Sequence, residues 1–224
     1  MINFFSKIII YFYREYKTSM IGLNDLFVNL VFFFLSIFIF IFSIGSDKEI
    51  LEITGIGIIW SLLLLSSTLS LKKYYDSDFN SGNLIMMHMN GFSYELIALI
   101  KVVSNFIFVQ IPFLISIPIA CLFVNIVFQK IILMLISFII GSLILSCLGS
   151  ISASMNLLNK KNYSLGSIIV MVLSIPVIIF SVGIINNEES FLSLIKILFG
   201  ILFIFIAITP WFSAICIRLA IQNN

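Results

Sequence analysis

The run Ile131–Leu158, IILMLISFIIGSLILSCLGSISASMNLL, decides the fold class. It contains no charged residue. A helix needs about 20 apolar residues, at a rise of about 1.5 Å each, to cross a hydrocarbon core about 30 Å thick. This run exceeds that length. On either side of it the same pattern recurs, at about Leu26–Ile44, Ile53–Leu71, Leu96–Phe123, Ser164–Ile185 and Phe191–Ile221. Polar punctuation separates the runs: Asp47, Lys48, Glu49 and Glu52; the stretch Lys72–Tyr94; Lys130; Asn159 to Asn162 with Lys160 and Lys161; and Asn186, Asn187, Glu188 and Glu189. The reading is an all-α integral membrane protein with six transmembrane helices in one domain, residues 1–224.

Composition agrees. Of 224 residues, 61% are apolar and 10% are charged, and the mean hydropathy is +1.22. Soluble domains average about 45–50% apolar and about 25% charged residues, so this surface cannot be mostly wetted. A soluble enzyme, a disordered tail and a nucleic-acid binder are excluded. The six spans use nearly the whole chain, leaving no room for a separate soluble domain. A net charge of +2 provides no basic face for nucleic acid. Cys121, Cys147 and Cys216 lie far apart in apolar runs, form no metal-ligand spacing, and read as buried small hydrophobes.

Residues 1–20 do not read as a signal peptide, because only six apolar residues separate Lys7 from Arg14. Asn3, Lys7, Arg14 and Lys17 recur at helical spacing among Phe4, Phe5, Ile8, Ile9, Tyr11 and Phe12. The expectation is an N-terminal interfacial amphipathic helix with its basic groups toward anionic headgroups; a short start to the first span is the alternative. Counting Lys and Arg places nine at one end of the bundle (Lys7, Arg14, Lys17, Lys72, Lys73, Lys101, Lys160, Lys161, Arg218) and three at the other (Lys48, Lys130, Lys196). This bias puts both termini in the cytoplasm, or in the mitochondrial matrix.

No catalytic motif is present: no GxxxxGK[ST], no GxGxxG and no HExxH. Catalytic, cofactor and metal residues are therefore none. His88 is the single histidine, and a solvated or interfacial role suits it better than haem ligation. Asp25 and Glu95 sit at span ends, so the mid-membrane carboxylate of a proton- or sodium-driven carrier is missing. Ser142, Ser146, Ser150 and Ser154 recur every four residues with Gly141, Gly149 and Ala153 beside them. Such a ladder lets helix backbones approach closely, either inside the bundle or at a subunit interface. All four prolines, Pro112, Pro118, Pro176 and Pro210, fall in spans and bend them. Gln110 stands near enough to Pro112 to bond a freed carbonyl. The cytoplasmic stretch Lys72–Tyr94 mixes charges with Tyr74, Tyr75, Phe79 and a methionine cluster, all expected to be exposed. That surface suits a partner's groove; an ordinary interfacial loop is the alternative.

An interfacial first helix, six spans and a structured cytoplasmic loop after span two resemble a type-2 ABC exporter permease. The finer resemblance is to the CcmB, or haem exporter protein B, family. Gly57-Ile58-Ile59-Trp60 is similar to that family's Gly-hydrophobic-hydrophobic-Trp stretch. Tyr75-Asp76-Ser77-Asp78 with Gly82 and Leu84 resembles its aromatic-x-x-Asp…Gly-x-Leu segment, and Lys101 falls where its next lysine is expected. Ser174–Phe180 fits its fifth span. Thr209-Pro210-Trp211, Ala214 and Arg218–Ile221 resemble its close. Two positions depart from the pattern: Ile85 replaces an acidic residue, and His88–Gly91 replaces a proline-rich close.

The resemblance implies a non-catalytic membrane subunit of an ABC-type complex for cytochrome c biogenesis and haem transport. A separate cytoplasmic ATPase would bind and hydrolyse ATP, driving release of a haem-loaded chaperone. The implied partners are that ATPase, a haem-handling membrane protein, a small single-span subunit, the haem chaperone, lipid, and a second permease copy. Haem is handled by the complex rather than ligated by this chain. The location implied is the bacterial inner membrane, with the mitochondrial inner membrane as alternative. Asp76, Asp78, Phe79, Gly82 and Leu84 are the expected docking region for the ATPase, with Ser142, Ser146, Ser150 and Ser154 as helix-packing positions. The rival functions are a lipid or drug exporter permease and an uncoupled structural assembly subunit.

Overall fold

The long uncharged runs form helices because a chain leaving water must satisfy every backbone N–H and C=O internally. The computed structural model of the chain describes residues 4–21, 23–45, 47–69, 73–158, 164–186 and 190–223. Asn3, Leu71, Lys72, Asn159, Lys160, Lys161, Asn162, Asn187, Glu188 and Glu189, named above, lie outside the described residues, as do the side chains of Phe4, Phe5, Lys7, Glu49 and Lys73.

The elements in order are α1 (Phe4–Ile21), α2 (Leu23–Ile44), α3 (Lys48–Leu69), α4 (Lys73–Asn80), α5 (Asn83–Met89), α6 (Tyr94–Asn105), a π-helical segment (Phe106–Gln110), α7 (Ile111–Phe123), α8 (Phe128–Leu158), α9 (Ser164–Asn186) and α10 (Phe191–Gln222). Among the described residues, six helices are long and apolar enough to cross a membrane. They are α2, α3, the continuous α6–π–α7 rod, α8, α9 and α10, the six runs expected from the sequence. The polar α4, with sequence KYYDSDFN, follows the second of them.

The central helix is α8. Every residue from Ile144 to Ser154 is buried, so this half of the helix is covered on all faces. It packs against α4, α6, α7, α9 and α10. The serine ladder is the reason neighbours come so close. Ser142 and Ser154 return their hydroxyls to the carbonyls of Ile139 and Ile151, at 3.0 and 2.8 Å. Ser146 donates to Asn105 Oδ1 at 3.1 Å. Ser150 lies 2.8 Å from the Tyr75 hydroxyl and 3.1 Å from Ser213 Oγ. All four are buried within the single chain, so of the two readings of the ladder the structure selects internal packing. At the other end of α8, Gly141 makes room for Trp60. A Cβ there would meet Trp60 Cη2 at 2.6 Å.

The third span departs from a simple proline bend. Ahead of Pro112, the Ile111 N–H donates to the Phe106 carbonyl, a five-residue step. Pro112 has no N–H to offer the carbonyl four residues back, and the wider turn absorbs that defect. Gln110 Oε1 is buried without a partner.

Two ion pairs tie opposite ends of the bundle. Lys130 reaches Glu52 at 2.8 Å, and Arg218 reaches Glu95 at 2.6 Å. Each pair joins residues that the span count puts at the same end.

Candidate functional site: the α4–α5 hairpin and its buried charges

Glycine punctuates the segment after the second span. Gly82 opens α5 with φ +72°, and Gly91 follows it with φ +90°, a left-handed region that costs a Cβ-bearing residue energy. The Gly91 N–H donates to His88 O and the Phe92 N–H to Met87 O, closing α5. Ser93 then caps α6, its Oγ accepting from the Leu96 N–H at 3.2 Å. The result is a helix–turn–helix hung between the second and third spans.

Its inner face is anchored on α8. Tyr75 and Tyr74 are buried, the first bonded to Ser150 and the second donating to the Ser146 carbonyl at 3.4 Å. This corrects the expectation that both tyrosines are exposed. The Tyr75 hydroxyl finds its partner in a ladder serine, and the Tyr74 hydroxyl in a backbone carbonyl of the same helix.

Four charges from three elements converge behind the hairpin. Arg14 Nη2 pairs with Asp78 Oδ1. Lys101 Nζ lies 2.5 Å from Asp78 Oδ2 and 3.0 Å from Glu15 Oε2. Arg14 Nη1 lies 3.5 Å from Glu15 Oε1. Asp78 is 2% exposed, Glu15 5% and Lys101 6%. Two cations face two anions, which is how buried charge is tolerated. Burial pushes the Asp78 carboxyl up, but Lys101 and Arg14 outweigh it and hold it below its ordinary value. Burial also raises the Tyr11 phenol, with the Glu15 and Asp78 charges adding to the effect. Arg14 is thus turned into the bundle, correcting the expectation that it meets headgroups. The reason is a stripe at 8, 11, 12 and 15 that packs inward, while Ile9, Ile10, Tyr13, Tyr16 and Lys17 are exposed.

The five residues expected to dock a partner therefore divide. Asp78 and Leu84 (1% exposed) are buried within the chain, Asp76 and Phe79 are half-buried, and Gly82 forms the turn. Ile85, and Met86 and Met89 of the methionine cluster, lie outside those five and are 44%, 60% and 82% exposed. Helical spacing held the signal: Leu84 and Met87 share the inner side of α5 and leave these three outside. Beside them a cavity of about 470 Å³ is lined by His88, Tyr94, Arg218, Ile221 and Gln222. His88 stacks on Tyr94 with centroids 4.3 Å apart, and Arg218 sits 5.8 Å from the same ring. His88 Nδ1 is 3.0 Å from the Phe92 carbonyl oxygen. Among the described residues no three His, Cys, Asp or Glu side chains converge as a metal-ligand set.

Fold and site define a class: a polytopic helical membrane protein with a helix–turn–helix anchored after its second span. The family model for CcmB protein matches residues 6–220, and the chain belongs to that family. It is similar to Heme exporter protein B of Haemophilus influenzae, 27% identical over 213 residues, covering 94% of this chain and 96% of that one. The protein of that name from Rhodobacter capsulatus is 25% identical over 198 residues, covering 87% and 91%. That from Bradyrhizobium diazoefficiens is 26% identical over 193 residues, covering 84% and 87%.

Proposed function

We propose that this chain is the permease subunit of an ABC-type complex for haem export in cytochrome c biogenesis, and that it couples a separate ATPase to the membrane. Family membership and the names of its relatives support the system. The observation that carries the coupling role is the outer face of α5. Ile85, Met86 and Met89 form an apolar patch on a short helix of an otherwise polar segment. An apolar patch in contact with water marks a binding surface, and methionine adapts to a partner's groove. ATP is bound and hydrolysed by the partner, and haem is substrate of the complex. The remaining partners are the haem-handling membrane protein, the single-span subunit, the haem chaperone and a second permease copy. The excess of Lys and Arg at the α4–α5 end supports a cytoplasmic position for that end, and for both termini, at a bacterial inner membrane.

The test is gentle detergent purification of the tagged chain co-expressed with its ATPase, followed by identification of bound proteins and a haem absorption spectrum. The unaltered chain retains the ATPase, and Met86→Asp with Met89→Asp loses it while the thermal transition of the permease is unchanged. Retention of the ATPase by the double variant removes the docking assignment. An ATPase bound without haem or haem-handling proteins points to the lipid or drug exporter.

A further inference from the structure

Two sets of contacts made by α1 join places that are far apart in sequence. Toward the docking hairpin, Arg14 and Glu15 meet Asp78 of α4 and Lys101 of α6 through the four-charge cluster. Arg14 Nη1 also lies 3.9 Å from Met87 Sδ on α5, and the Tyr11 ring is 5.7 Å from Phe92 in the turn that follows. Toward the third span, Phe12 and Tyr16 both lie against Phe108, at 5.9 and 5.6 Å between centroids. Phe108 is the middle residue of the π segment.

That segment is where the third span is least tied. Its hydrogen-bond step is widened, and Pro112 follows two residues later. Ser104 Oγ just before it and Gln110 Oε1 within it are buried without partners. π turns inside α-helices are weak points that frequently serve function, and a half-satisfied polar site tolerates rearrangement better than a closed one. A helix that served only as a lipid anchor would present its charges to headgroups. Here Arg14 and Glu15 are turned inward and shared with the two helices flanking the docking turn.

We infer that α1 is a transmission strap: Arg14 and Glu15 clamp it to the docking hairpin, and Phe12 and Tyr16 pass the hairpin's displacement to the π segment, which serves as the hinge of the third span. This rests on the coupling role proposed above. Arg14 and Glu15 are positioning residues, acting through Asp78 and Lys101. The clamped body is α1, α4, α5 and α6, and α7 lies beyond the hinge.

The experiment uses the intact complex with its ATPase and paired spin labels on substituted cysteines, with distances measured without nucleotide and with ATP trapped by vanadate. One pair, Tyr13→Cys and Asn80→Cys, reports within the clamped body. The other, Asn80→Cys and Ile115→Cys, reports across the hinge. All three positions face outward from the bundle. The expected result is an unchanged Tyr13–Asn80 distance and a nucleotide-dependent shift in Asn80–Ile115. Arg14→Gln retains the ATPase and its hydrolysis but loses the shift, and Arg14→Lys restores it. If Arg14→Gln does not fold, Phe12→Ala with Tyr16→Ala removes the contact with Phe108 while keeping every charge, and must lose the same shift. A Tyr13–Asn80 distance that changes with nucleotide, an Asn80–Ile115 distance that does not, or a shift that survives the variants overturns the strap alone. An unaltered chain that does not retain the ATPase overturns the coupling role and the strap together.

Discussion

Asp78 shows what a single buried charge commits the chain to. Its carboxylate serves Arg14 on one oxygen and Lys101 on the other. Removing one member of such a cluster strands the rest away from water, at a cost of about 3–5 kcal/mol. Asp78→Ala should therefore lower the thermal transition of the detergent-solubilised protein sharply. Lys17→Ala, at an exposed position on the same helix as Arg14, should stay within about 0.5 kcal/mol of wild type. The sign with pH follows from the lowered Asp78 pKa. Its contribution is fully present above the ordinary carboxylate value and is lost as pH falls through the depressed one. Stability should be level across the neutral range and fall on acidification, and Asp78→Asn should flatten that fall. An unchanged acid slope in Asp78→Asn would sink the assignment. Asp78 and Lys101 were legible in the sequence as members of a family pattern. That they touch was not, because 23 positions separate them and the contact forms only when the fold brings α4 and α6 within reach of one another.

At the scale of helices, glycine decides how closely neighbours approach. Gly57 and Gly141 lie in adjacent spans, but their surroundings differ. A Cβ at Gly57 meets nothing within 4 Å, whereas one at Gly141 runs into the Trp60 ring at 2.6 Å. Trp60 is fully buried and packs on Phe138, 5.5 Å between centroids. Overpacking of this kind costs about 1–3 kcal/mol. Gly141→Ala should lower the thermal transition, and Gly57→Ala should leave it unchanged or raise it slightly through better helix propensity. Equal effects of the two would show that the α3–α8 spacing is not set by Trp60. The sequence stands both glycines in apolar runs and cannot rank them, since the difference is made by a residue on another helix. The π segment is the other element that sequence did not show. Pro112 announced a defect in the third span, but whether it is met by a kink or by a wider turn depends on the packing of Asn105 and Phe108 against α8 and α1.

For the whole molecule, the two terminal ion pairs test the topology. Glu52–Lys130 marks one end of the bundle and Glu95–Arg218 the other. With the positively biased end in the cytoplasm, a membrane-impermeant thiol reagent applied to intact cells should label Phe128→Cys, exposed at the far end, and spare Met89→Cys. Labelling of the second and not the first would invert the orientation and place the docking hairpin on the wrong side for an ATP-driven partner.

What the sequence by itself determined is the class and the span count. Runs of uncharged residues longer than a bilayer is thick admit only helices that cross it, because lipid offers no partner to a bare backbone. It also marked Lys72–Tyr94 as the segment of interest, since charge and glycine there break the apolar pattern. Which side chains of that segment stay exposed was decided only by tertiary structure. Tyr74 and Tyr75 went inward because α8 presents Ser146 and Ser150 to their hydroxyls. Asp78 went inward because Arg14 and Lys101 meet it there, and Met86 and Met89 were left outside. Local pattern assigns a residue to a helix and a face. Whether that face meets lipid, water or another helix depends on contacts between distant parts of the chain, which set the cost of burying each charge.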